Sequence, residues 1–341
     1  MHCARRQTLA LIFMLLCAVQ ASACLSRAND ETPANDSSIN IPSRYVWTQV
    51  TDRAQFSGAY NFPVFVVRGE MWAFHPEGNW RSSDGREWTR SELPRTGLNS
   101  AYQKYVQFGD AIYALGAMEG NYMNMRLSSR IMRTKDFKSW ETLAVESNLP
   151  ARVFYSAIVF QDKIWLMGGY DGKRYYNDVW NSADGVRWQR VTEHAAWSPR
   201  NIGGAGVVFK DRIFLIGGGV IDGERDANPR AGHEIWSSSD GTNWTLVTDR
   251  TARGWGGTPV VFDGKLWLVG ANRDGNFSGA VMMSADGASW QEESAAWLPR
   301  GAAAAWVFDE KLYITGGKYS EVVNGEPKFI YRNDVWRMSA S

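Results

Sequence analysis

One phrase returns six times in this chain: an apolar strand, a tight turn at Asp or Gly, and a second apolar strand carrying an aromatic ring at a set place. The rings are Trp72, Tyr113, Trp165, Phe214, Trp267 and Tyr313, at steps of 41, 52, 49, 53 and 46 residues. Typical copies are Val159-Phe160-Gln161-Asp162-Lys163-Ile164-Trp165 and Val307-Phe308-Asp309-Glu310-Lys311-Leu312-Tyr313. Two short apolar runs about such a turn predict a β-hairpin. Later in each unit Ser82 to Trp88, Ser182 to Trp188, Ser238 to Trp244 and Ser284 to Trp290 read Ser-x-Asp-Gly-x-x-Trp, with Asp136 to Trp140 as a degenerate member. Asp bonds its own turn and Gly accepts positive φ, so this is a second turn between two strands. Each unit therefore has four strands, a to d. A unit of this size cannot bury its apolar faces alone and must stack on its neighbours. The 17 Trp, 13 Tyr, 15 Phe and 33 Gly suit such an all-β array.

A Gly-Gly pair follows strand b at Gly168-Gly169, Gly217-Gly218 and Gly316-Gly317, with reduced forms at Gly116 and Gly270. Strand c carries Asn177-Asp178-Val179-Trp180 and Asn333-Asp334-Val335-Trp336. A period near 50 with these marks resembles the kelch-repeat β-propeller superfamily, the galactose-oxidase-like propellers, over residues 44–341. The resemblance implies a six-bladed kelch-type β-propeller with four antiparallel strands per blade. The first unit departs most, with Phe74-His75 where the diglycine belongs. The d-strand tryptophans begin with Trp47, ahead of any a or b strand, while the last unit ends without one. The N-terminal run Val46 to Val50 is thus expected to supply the outer strand of the last blade and close the ring.

Ahead of the repeats, Arg5-Arg6, an apolar run from Leu9 to Val19 and the small residues Ala21-Ser22-Ala23 predict a signal peptide over residues 1–23. The chain is expected to be exported, to the periplasm or beyond. Cys24 is then the one cysteine of the mature chain, so no internal disulfide can form. Ala21-Ser22-Ala23-Cys24 resembles a lipobox, with Ala21 where Leu is usual; Cys24 is either the lipidated residue of an outer-membrane lipoprotein or the start of a freely secreted protein. Such a lipid would be the sole membrane contact. Residues 24–43 are polar and predicted to be a flexible tether. Without the leader, 35 basic side chains face 36 acidic ones, a balance that argues against a nucleic-acid partner.

Strand direction puts the b–c and d–a connections on one rim, and Gly168 to Tyr176, Gly217 to His233 and Gly316 to Arg332 are long. Long loops on a rigid scaffold carry recognition. Arg152, Arg200, Arg253 and Arg300 each precede the Val-Phe or Val-Val of strand a by seven or eight residues. Clustered guanidinium groups would grip a carboxylate, sulfate or phosphate; alternatively, each holds its blade together through a neighbouring carboxylate. With Tyr170, Tyr175, Tyr176 and His233 they form the candidate ligand-binding set. In kelch adaptors arginines at this place contact an acidic peptide, and Pro199-Arg200-Asn201 is similar to that pattern. The copper chemistry of galactose oxidase is not expected, because it needs a cysteine within the fold. His75, His194 and His233 lack zinc-site spacing, so no metal or cofactor is expected. The leading expectation is a recognition module for a protein or glycan partner carrying an anionic group. The alternative, by resemblance to six-bladed sialidases and kelch-type sialate mutarotases, is an isomerase of acidic sugars with Glu77, Glu224, Glu234 or Glu326 as acid/base.

Overall fold

The computed structural model describes residues 44–99, 102–120, 124–202, 205–219, 231–250, 257–270, 272–273, 276–277, 279 and 281–340. These residues build six four-stranded antiparallel sheets. From strand a to strand d, blade 1 is Val64–Val67, Glu70–His75, Gly78–Ser82 and Thr89–Arg90. Blade 2 is Lys104–Phe108, Ala111–Leu115, Ile131–Thr134 and Glu141–Ala144. Blade 3 is Ser156–Phe160, Lys163–Tyr170, Tyr175–Ser182 and Gln189–Thr192, and blade 4 is Gly206–Phe209, Arg212–Ile216, Ile235–Ser238 and Thr245–Thr248. Blade 5 is Thr258–Phe262, Lys265–Val269, Val281–Ser284 and Gln291–Glu293. Blade 6 takes strands a to c from Ala304–Phe308, Lys311–Thr315 and Val335–Ala340, and strand d from Tyr45–Thr51.

The a–b turns explain the first repeat. Both central residues have positive φ in Arg68-Gly69, Gln161-Asp162, Lys210-Asp211, Asp263-Gly264 and Asp309-Glu310. That is the primed turn whose twist matches the flanking strands. The second repeat is a self-contained cap. In blade 4, Asp240 Oδ1 accepts the Thr242 and Asn243 amides at 2.8 Å each, and Ser238 Oγ accepts the Gly241 amide at 2.8 Å.

The two repeats interlock between blades. A Cβ on Gly241 of blade 4 would lie 2.2 Å from the Trp165 ring of blade 3, and one on Gly287 would lie 2.3 Å from the Phe214 ring of blade 4. Gly185 stands in the same relation to Tyr113, and Gly85 to Tyr313. Four of the six strand b rings thus seat against the turn glycine of the next blade, which is why both features recur together. Buried rings of this size stabilise by about 2 to 3 kcal/mol each. In blade 2 the turn carries Phe137 at φ 58°, which packs on Trp72 at 4.7 Å between ring centres.

Closure follows the expected route. Tyr45–Thr51 pairs antiparallel with Val335–Ala340, from Tyr45 opposite Ala340 to Thr51 opposite Val335. Blade 6 has no turn glycine to cover Trp267, and Tyr45 takes that role at 4.7 Å, edge to face. The Tyr45 hydroxyl donates to Asp263 at 2.8 Å and accepts from Lys265 Nζ at 2.7 Å.

Most of the long connections lie on one rim. Blade 6 raises a hairpin there, Lys318–Val323 with Glu326–Tyr331, and blades 2 and 5 raise shorter ones. Blade 3 differs from expectation: Gly168 to Tyr176 is not a free loop. The register shifts between Met167 and Gly169, and pairing resumes with Gly169 opposite Tyr176 and Tyr170 opposite Tyr175.

Candidate functional site

Arg152, Arg200 and Arg300 are 2%, 0% and 0% exposed. Each guanidinium is turned into its own blade. Arg152 grips Asp178 with both terminal nitrogens, at 2.6 and 3.1 Å, and donates to the Gly168 carbonyl at 2.9 Å. Arg300 repeats this on Asp334, at 2.7 and 2.8 Å, and on the Gly316 carbonyl at 3.1 Å. Arg200 donates to Glu234 at 2.7 Å and to the Ala231 carbonyl at 2.9 Å. In all three blades the same carboxylate accepts an indole N–H two residues on, from Trp180, Trp236 or Trp336, at 2.7 to 2.8 Å. Burial acts to raise the Asp334 carboxyl, but the Arg300 bonds hold it below the usual range. The Arg, the diglycine carbonyl and the Asp-x-Trp or Glu-x-Trp phrase are therefore one buried unit per blade.

Both terminal nitrogens of Arg152, Arg200 and Arg300 are thus bonded within their own blades, the arrangement in which each arginine holds its blade together. Arg253 lies outside the described residues, as do Glu224 and Cys24. At the place of the carboxylate, before Val281, the sequence has Ala280. Tyr176 lies over Arg152, whose Cζ is 4.2 Å from its ring centre, and donates its hydroxyl to Asp171 at 2.6 Å. Tyr170 and Tyr175 pack on each other at 4.7 Å. His233 is exposed at the end of the turn Ala231–His233, next to Glu234. The predicted residues are thus divided among separate blades.

A different set comes together where strands a begin, at the mouth of the propeller axis on the long-loop rim. The Tyr60 and Tyr331 rings stack at 5.6 Å, Lys318 Nζ lies 4.6 Å over Tyr60, and the Tyr102 ring meets Phe154 edge to face at 5.4 Å. Burial raises the Tyr60 hydroxyl to about 12, aided by Tyr102 and Tyr331 beside it and by a hydrogen bond with Tyr102. These contacts link blades 6, 1, 2 and 3 in one aromatic arc. The backbone beneath is set by inter-blade bonds: the Phe154 carbonyl accepts from Ile202 N at 2.9 Å and the Ala302 carbonyl from Asn61 N at 2.8 Å. Phe154 and Ala302 adopt φ of 60° and 52°, which turns those carbonyls toward the neighbouring blade.

Lys104 opens strand a of blade 2, two residues after Tyr102, and is half-buried. Enclosure pushes its ammonium down to about 8. Sequence reasoning passed over Tyr60, Tyr102, Lys104 and Lys318. A signal for one of them exists: at the position paired with the second residue after the strand b ring, the other blades carry Pro63, Ser156, Ala205, Thr258 and Ala304, against Lys104 here. Among the described residues no three His, Cys, Asp or Glu side chains converge as metal ligands do.

The comparisons with known proteins agree with this architecture. Leucine-zipper-like transcriptional regulator 1 of Homo sapiens is 28% identical over 149 residues, 40% of this chain and 17% of that protein. Kelch repeat protein M-T8 of Myxoma virus (strain Lausanne) is 27% identical over 161 residues, 45% of this chain and 29% of that protein. The matched stretch spans less than a third of the length of these curated relatives. A solved structure described as "Structure of YjhT" superposes with a TM-score of 0.66 at 12% identity, covering 85% of this chain and 97% of that one, a likeness of fold. The model of the DUF6242 beta propeller domain matches residues 20–252. With its kelch-type diglycine and Asp-x-Trp units and six closed blades, the chain belongs to the DUF6242 β-propeller domain family.

Proposed function

We propose that this chain is an exported recognition module that holds a protein or glycan partner at the mouth of its long-loop rim. The observation behind it is the aromatic arc of Tyr60, Tyr102, Phe154 and Tyr331, whose residues keep accessible surface while inter-blade backbone hydrogen bonds fix the chain at Asn61, Phe154 and Arg332. Rigid rings offer large contact area at small entropic cost, which favours binding. Three carboxylates that could move protons here are otherwise engaged. On this rim Glu77, Asp171 and Asp334 are all held below the usual carboxylate range; burial opposes this, but bonds from Ser57, Tyr176 and Arg300 outweigh it. A general acid needs the opposite displacement. The leader at residues 1–23 is the route of export, and a lipid on Cys24 would tether the propeller without occupying its rim.

The test is a glycan array and a panel of immobilised exported proteins probed with the full chain and with the double variant Tyr102→Ala/Tyr331→Ala. A partner retained by the parent is expected to bind the variant at least about tenfold more weakly, a loss of roughly 1.4 kcal/mol, with melting temperature unchanged. Equal binding by a folded variant rejects the proposal. Catalysed anomer exchange of an acidic sugar, followed by NMR, would replace it with the isomerase alternative.

A further inference from the structure

The ring of positions that open the innermost strands is filled by side chains that are small or have a partner. Ser156 Oγ accepts the Gly206 amide at 3.1 Å, and Thr258 Oγ1 donates to the Ala303 carbonyl at 2.6 Å. Pro63, Ala205 and Ala304 bring no polar atom in their side chains. Lys104 occupies the same position in blade 2, opposite Leu115, and its ammonium has neither a hydrogen bond nor an ion pair with any described residue. Its displacement arises from burial alone, with no neighbouring charge acting on it. Beside it Gln103, 3% exposed, engages its amide oxygen with Thr96 and Tyr105 and leaves Nε2 without an acceptor. The strand thus opens on two sets of N–H donors that the described residues leave unmatched.

Enclosed charges in proteins are paired or hydrogen-bonded, because an isolated one loses its water without recompense. We propose that Lys104 anchors the anionic group of a small ligand that enters along the propeller axis from the long-loop rim, with the body of the ligand against Tyr102 and Phe154. A single ammonium is a compact unit charge with three donors, and the guanidinium groups of Arg152, Arg200 and Arg300 are already paired with carboxylates of their own blades. That suits a monoanion and points to a carboxylate rather than a phosphate dianion, which draws clustered cations. The site deepens the recognition proposal by assigning chemistry to one part of the rim.

The experiment is acylation of the full chain at pH 7 with a limiting amine reagent, read at Lys104 by peptide mass spectrometry, with sodium acetate, sodium benzoate or inorganic phosphate present. Benzoate is expected to slow modification of Lys104 on the order of tenfold, acetate less, and phosphate least. In parallel, Lys104→Met is expected to lose the thermal shift that benzoate gives the parent, and to melt no lower than the parent in carboxylate-free buffer, since an uncompensated charge has been removed. No protection by either carboxylate, or strongest protection by phosphate, overturns the site as stated; so does an undiminished benzoate shift in Lys104→Met. Should that variant fail to fold, the labelling of the parent chain still decides. A partner bound at full affinity by Lys104→Met, together with no protection by any anion, removes this subsite and leaves the recognition proposal standing.

Discussion

His75 accepts the Glu77 amide hydrogen on Nδ1 at 3.3 Å and donates from Nε2 to the Ser57 carbonyl at 3.1 Å, between the Phe56 and Phe62 rings. Both nitrogens are satisfied only in the neutral ring, because a proton on Nδ1 would face the Glu77 N–H. Burial accordingly lowers its titration from 6.5 to about 4. The unfolded chain then binds more protons between those values, so the contribution is complete above pH 6.5 and lost as the pH falls toward 4. Denaturant melts are expected to show a loss on the order of 3 kcal/mol across that window. In His75→Phe, which cannot charge, the slope should be absent while stability at pH 7 is lower. The arginines make a second prediction at this scale. Arg200→Ala removes the ion pair from the buried Glu234 carboxylate, which still accepts the Trp236 indole N–H, and urea titration should find a loss of about 3 to 5 kcal/mol. Replacing both, as Arg200→Met/Glu234→Leu, should recover most of it. The regular spacing of these arginines was legible along the chain. That each turns inward onto a carboxylate 26 or 34 residues on was not, because spacing encodes neither side-chain direction nor desolvation.

At the scale of the element, the Ser-x-Asp-Gly-x-x-Trp turn is both a cap for its own strands and a seat for the preceding blade. Gly241 has φ 75°, and its missing Cβ would collide with Trp165 at 2.2 Å. Gly69, in the a–b turn of blade 1, has a similar φ of 79° but nothing within 4 Å. Gly69→Ala should therefore cost only the backbone penalty, roughly 1 kcal/mol. Gly241→Ala adds overpacking against a rigid indole, a further 1 to 3 kcal/mol or so. Equal losses in the two variants, measured by thermal denaturation, would show that the ring can move aside and that the interlock is weak. The turns themselves were legible because Asp and Gly act on their own backbone. The extension of blade 3 through Tyr170 and Tyr175 was not, since strand and loop differ there only by cross-strand pairing.

The whole molecule depends on joining its two ends in one sheet. Tyr45–Thr51 gives blade 6 its outer strand and gives Trp267 the cover that a turn glycine would otherwise supply. Deletion of residues 44–51 bares that ring and one edge of Val335–Ala340. Soluble protein should then be recovered only in trace amounts, and a normal yield with an unchanged melting temperature would count against the closure. The blade number, the strand order and this closure were all determined by the sequence alone, because they rest on turn chemistry and on apolar alternation, which act within a few residues and repeat. Which charged groups are neutralised and which stay open was decided only by the tertiary structure. Arg152 and Lys104 look alike as cations near the start of an inner strand, yet one finds a carboxylate within 2.6 Å and the other finds none among the described residues. The difference is a matter of which side chains the packed blades bring together and how much water they exclude, and neither is a property of any local stretch of chain.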